Sequence, residues 1–288
     1  PYNYLTNTKT SLNNSLILTT GTYNGQTRLY NVANYGSSPG ALYMDNVTMI
    51  AMGKPSGNDD SNFRLGYSGT YSYGDYYINN SRLLGMSALG TGSGYYANDG
   101  DIEMTNNLIM HHRVAVRSSS SQYDDMCIQS SGFDHIRITN NTMIDCGVGM
   151  FVPNNYYATN SYYVGSSLIG TQDLVMRDNT MEDVQNLAIW FYLNARVHDA
   201  QFIGNTVTGT PPRYAVYNQD SSSMSFVAHN NVIHADNPIY SRSAQQYTIT
   251  DNTITGISDA SRPCIYALNG HGVIRGNSCM DADGGIRI

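Results

Sequence analysis

The chain has 288 residues, carries a formal net charge of −7 with a pI near 5.3, and is only 13% charged but rich in Tyr (24) and Gly (27). An acidic chain lacks the basic footprint that phosphates require, which excludes a nucleic-acid partner, and no run approaches the roughly 18 apolar residues of a membrane-spanning helix. Lys occurs only at Lys9 and Lys54 and Glu only at Glu103 and Glu182, so ionic chemistry falls to Asp, Arg and His. The opening residues, PYNYLTNTKT, do not read as a signal peptide.

In chain order, one short unit recurs: alternating apolar residues, an Asn, a small polar residue and more apolar residues. It begins loosely at Asn14, Asn46 and Asn80. It then sharpens in IEMTNNLIM (Asn107), IRITNNTMI (Asn141), LVMRDNTME (Asn179), AQFIGNTVT (Asn205), FVAHNNVIH (Asn231), YTITDNTIT (Asn252) and VIRGNSCMD (Asn277). Successive spacings from Asn46 are 34, 27, 34, 38, 26, 26, 21 and 25 residues. A floor with variable additions is what coils of fixed circumference carrying loops of different length produce. Apolar residues at −5, −3 and +2 from the Asn (Ile136, Ile138, Met143; Leu174, Met176, Met181) give the period of two expected of strands.

A second strand follows each Asn unit in RVAVR, GVGMFV, AIWFY, RYAVY, NPIYS and PCIYA. The fold predicted is all-β: a right-handed parallel β-helix of about ten coils, one domain over residues 1–288, about 45 to 50 Å long at roughly 4.8 Å per coil. The recurring Asn is expected to form a ladder at a corner and to adopt the left-handed backbone there. Open coils need covering, so the ends point to a flanking domain, a partner subunit such as a homotrimer mate, or a longer chain. Cys127, Cys146, Cys264 and Cys279 lack metal-ligand spacing and are expected as small buried hydrophobes rather than as disulfides.

In the second strand, strict alternation sends Val114, Val116, Val148, Met150, Ile189, Phe191, Val216, Ile239 and Ile265 inward. It sends Arg113, Arg117, Phe151, Trp190, Tyr192, Tyr217, Tyr240 and Tyr266 outward. Aromatic residues one coil apart suit sugar rings, which offer apolar C–H faces; the competing reading is that Tyr simply favours half-buried strand surface. Long loops at 117–134 and 153–173 would wall such a groove. Arg196 and the other central arginines could pair with uronate or sialate carboxylates, or could merely face solvent.

This pattern resembles the pectate-lyase-like superfamily of parallel β-helices over nearly the whole chain. Members include pectate and alginate lyases, polygalacturonases, epimerases and phage tailspikes, so the resemblance implies fold more narrowly than function. It implies polysaccharide binding and degradation outside the cell or on a virion surface, with a non-catalytic fibre or adhesin as the alternative. The segment DDMCIQSS…NTMIDCGVG is similar to a polygalacturonase motif, but Val148 stands where that family has its His. The only Gly-His-Gly surrounds His271, so that mechanism is not carried over.

Glycoside hydrolysis uses two carboxyl groups, and neighbouring carboxylates raise one another's pKa. Catalytic candidates are therefore Asp124 with Asp125, Asp145, Glu182 with Asp183, and His198 with Asp199; adjacent acids in loops are also commonly just solvated. No metal ligand set or cofactor motif is present, although Asp-rich loops could hold Ca²⁺. For a lyase, His112, Arg113, Tyr192, Arg196 and His198 are the candidate bases.

Overall fold

The computed structural model describes residues 2–6, 9–19, 27–32, 40–51, 63–65, 74–84, 89–90, 101–110, 126–129, 133–152, 162–164, 167–169, 171–191, 195–219, 225–242, 244–256, 262–280 and 285–288. Their strands assemble into three long parallel sheets of 11, 10 and 10 strands, visited in rotation, with a separate antiparallel pair at Tyr162–Val164 and Ser167–Ile169. We call the three sheets A, B and C in the order in which the chain enters them. A chain that returns to each sheet once per circuit, always beside its previous strand, is a parallel β-helix, and ten strands in sheets B and C set ten coils.

Sheet B and sheet C form because every coil repeats the same alternation. In His135–Thr139, Ile136 and Ile138 are fully buried while His135, Arg137 and Thr139 are only half-buried. Parallel register then stacks like on like: Ile78, Met104, Ile138, Met176, Phe202, Ala228 and Ile249 form one interior file. Bulk is exchanged between files where a large ring occurs. One coil presents Ala200 and Phe202 inward and the next presents Phe226 and Ala228, in register, so the summed volume stays constant as close packing demands.

The corner between sheets B and C separates two tasks that the sequence reading assigned to one Asn. The left-handed backbone belongs to the residue before the ladder: Asn14, Asn46, Asn80, Asn106, Asn140, Asp178, Asn230 and Asp251 have φ between 48° and 58°, and Gly204 and Gly276 have 65° and 70°. Asn14, Asn46 and Asn80 are thus members of this exposed file, and not looser ladder members. Asn, Asp and Gly recur there because they tolerate φ > 0. The next residue turns inward, where Asn107, Asn141, Asn179, Asn205, Asn231 and Asn252 are buried. Each donates its backbone N–H to Oδ1 of the ladder Asn one coil on, at 2.8–3.0 Å. Each Nδ2 also donates back to a main-chain carbonyl of the previous coil, as Asn205 does to Met176 at 2.9 Å. Ser81 opens the ladder, accepting from the Val47 N–H at 3.1 Å and donating to Asn79 O at 2.7 Å.

All four cysteines are paired, contrary to the expectation of free buried thiols: Cys127 with Cys146 and Cys264 with Cys279. Both pairs close a single coil on itself. The first cysteine stands in or just before a sheet A strand, and its partner lies in sheet C or at the corner that follows it. A spacing of 19 or 15 residues is one short circuit of the helix, which is why sequence distance alone concealed the contact.

Candidate functional site

The outer face of sheet A carries the aromatic file. Gln129, Phe151, Trp190, Tyr217, Tyr240, Tyr266 and Arg287 occupy one register position in seven successive coils. Ring centroids lie 4.8 Å apart for Phe151 and Trp190, 6.4 Å for Trp190 and Tyr217, 5.2 Å for Tyr217 and Tyr240, and 4.6 Å for Tyr240 and Tyr266. Tyr214 stacks beside Tyr217 at 4.4 Å.

Strict alternation fails in these strands, and the failure has a steric cause. Two consecutive residues face the core, Gly149 with Met150, Ala188 with Ile189 and Ala215 with Val216, so the residue before them is turned outward. Val148, expected inside, therefore packs externally with Phe151, Leu187 and Trp190, against Tyr214 and Tyr217. Only small residues fit the extra inward position: a Cβ on Gly149 would come within 2.6 Å of the Ala188 carbonyl oxygen.

Exposure divides the file. Phe151 and Trp190 are buried, at 8% and 5% exposure, whereas Tyr214, Tyr217, Tyr240 and Tyr266 are half-buried. Tyr240 and Tyr266 are parallel within 1°, so their facing surfaces cover each other, and the far side of Tyr266 holds the Arg287 guanidinium 5.4 Å from the ring centroid. Elsewhere in the file the rings are tilted, by 42° between Tyr217 and Tyr240 and by 43° between Trp190 and Tyr217. Gln219 ties the buried end to the wet one, accepting from Trp190 Nε1 at 3.2 Å and donating to the Tyr217 hydroxyl at 2.7 Å. Burial, then the neighbouring tyrosines, raise the pKa values of Tyr217 and Tyr240 above the usual 10.0 against the opposing pull of Arg213, Arg242 and Arg287. The hydroxyls therefore remain donors at neutral pH.

Of the carboxylates expected to act here, Asp145, Glu182, Asp183 and Asp199 lie among the described residues. Asp145 and Asp183 sit in successive coils at the corner leading from sheet C into sheet A, with φ of 59° and 54°. Asp183 Oδ1 accepts from the Thr210 backbone N–H at 2.8 Å and from its hydroxyl at 3.1 Å, so this acid clasps the next coil. Glu182 is exposed at the end of a sheet C strand. His198 and Asp199 contact each other at 3.1 Å, on sheet B. Arg196 is half-buried with φ 57° at the entry to sheet B. Asp124, Asp125, His112, Arg113, Arg117 and Tyr192 lie outside the described residues.

Sequence reasoning missed a polar file on sheet B. Asp101, His135, Asp173 and Asp199 are in register in four successive coils. His135 Nδ1 contacts Asp173 Oδ1, and Arg137 reaches the other oxygen at 3.4 Å. Its signal was present, six residues before each ladder Asn, one place ahead of the apolar positions used to find the coils. Among the described residues no group of three or more His, Cys, Asp or Glu is placed to hold a metal ion.

Fold and surface together define a parallel β-helix with a polar corner ladder and an aromatic external ribbon. No family model, curated protein or solved structure matches the chain, so its functional reading rests on its own residues.

Proposed function

We propose that this chain binds a polysaccharide lengthwise on the outer face of sheet A, outside the cell or on a virion surface. The observation that carries the reading is the half-buried ribbon of Tyr217, Tyr240 and Tyr266 with Tyr214 alongside. It runs straight along the helix axis at about 4.8 Å per coil, the period of adjacent strands. An extended polymer fits an extended ribbon. Sugar C–H groups pack against the tilted, half-buried rings while protonated tyrosine hydroxyls bond to the sugar's own, a division of labour for which amphipathic rings are suited. The two disulfides support an oxidising location.

Cleavage of the bound polymer is a second reading, favoured by the Asp124–Asp125 pair that immediately precedes the sheet A strand Met126–Gln129. A panel of soluble polysaccharides, assayed for binding, for new reducing ends and for unsaturated products, tests both. Binding lost in Tyr240→Ala supports the ribbon. Product formation lost in Asp124→Asn or Asp125→Asn supports cleavage, and binding that Tyr240→Ala leaves unchanged excludes the ribbon.

A further inference from the structure

The charges around the ribbon narrow its ligand, on the premise that the ribbon binds a glycan. Although the chain is acidic overall, arginines surround this surface. Arg213 lies over the Tyr214 ring and Arg287 over Tyr266, each 5.4 Å from the ring centroid. Arg242 directly follows the Asn237–Ser241 strand that carries Tyr240. All three are exposed, and all three act electrostatically on Tyr217 or Tyr240. Among the described residues, the carboxylate nearest in the chain to these sheet A strands is Asp236, and one of its oxygens is buried. Beyond Arg242 the corner into sheet B opens into a cavity of about 520 Å³ lined by Gln245, Gln246, Asn269, Gly270 and His271. Its side chains are hydrogen-bonding groups without a carboxylate.

We infer that the ligand is an anionic polysaccharide, its acidic groups paired with Arg213, Arg242 and Arg287 while its rings lie on the tyrosine ribbon. A guanidinium above a ring is held in place by the ring yet keeps its N–H edge free, and that edge matches a carboxylate or sulfate. An anionic glycan running along the ribbon meets a guanidinium at three of the four sheet A strands from Tyr214 to Arg287, whereas a neutral one forms no ion pair with them.

Titration calorimetry with chemically matched probes tests this. Oligogalacturonate is compared with its methyl ester, and sulfated dextran with dextran. The acidic member of at least one pair is expected to bind about tenfold or more tightly than its neutral form, the scale of a charge-assisted hydrogen bond. The gap should close in the Arg242→Gln, Arg287→Gln double variant, whose melting temperature serves as a folding control. The arm that responds identifies carboxylate or sulfate. Equal binding of acidic and neutral members overturns the inference but leaves glycan binding intact. Binding of polyglutamate as tight as that of either acidic glycan also overturns it, because charge alone would then suffice. If no probe binds, both the inference and the glycan reading fail.

Discussion

Asn179 donates both its backbone N–H and its side-chain amide to one oxygen, Oδ1 of Asn205, at 3.0 and 2.9 Å. Repeated from Asn107 to Asn252, this arrangement holds the corner of the helix by donors that are buried and satisfied. Oδ1 takes two bonds from the coil before, and Nδ2 gives its two to the ladder and to a carbonyl.

Removing one rung leaves donors stranded in the interior. Asn205→Ala deprives Asn179 of both bonds, and each buried unsatisfied group costs about 1–3 kcal/mol. Chemical denaturation should show a loss of about 2–6 kcal/mol on that basis, whereas Asn230→Ala, one place before a rung and exposed, should lose less. Equal losses at the two positions would contradict the division of the corner into a buried ladder and an exposed left-handed file.

The last disulfide closes the final complete coil. In the chain-entropy view a 15-residue loop contributes about 3 kcal/mol. The Cys264→Ser, Cys279→Ser double variant, which keeps the Cys127–Cys146 disulfide, should therefore speed hydrogen exchange first in 262–280 and leave the central coils protected. Uniform acceleration along the chain would show that the coils do not respond independently.

Core volume is exchanged between adjacent coils, so Phe202→Ala should be costly where Ala228 is its neighbour in the file. A loss of about 3–5 kcal/mol is expected for an uncompensated ring deletion. Ala228→Phe on that background should recover part of it, and a further loss would mean that the files do not share space.

Tyr217 and Tyr240 have hydroxyl pKa values raised above 10.0, chiefly by burial. For a group whose folded pKa exceeds its unfolded one, the stabilisation is complete below the unfolded value and disappears as pH rises through the folded value. Stability contributed by the ribbon should thus be flat through neutral pH and fall above about pH 10, the ordinary tyrosine value. Ultraviolet titration should find tyrosines that ionise late in wild type and fewer in the Tyr217→Phe, Tyr240→Phe variant. An identical late fraction in both proteins would place the perturbed hydroxyls elsewhere.

The fold was legible because a parallel β-helix writes the same side-chain environment at the same phase of every coil. Ile136, Ile138 and Met143 align with Leu174, Met176 and Met181 by their spacing from Asn141 and Asn179 alone. The aromatic file was legible for the same reason, from Phe151 through Trp190 to Tyr266. Alternation could not show that paired inward residues turn Val148 outward, nor that Tyr240 and Tyr266 stack face to face, because both depend on contacts between coils. The disulfides were hidden because a full circuit separates residues that meet across the core. The catalytic reading was least legible: an Asp at a corner, such as Asp145, is chosen for its backbone as readily as for its carboxylate.

Trp190 is the chain's sole tryptophan, and Gln219 links it to the Tyr217 hydroxyl. A ligand seated on the ribbon must disturb that link, so its emission reports occupancy directly. Titrating the protein with an acidic oligosaccharide that it binds is expected to give a saturable change in Trp190 fluorescence, lost in Tyr240→Ala. Saturable binding with unchanged emission, or a change that survives Tyr240→Ala, would contradict a saccharide site on this face.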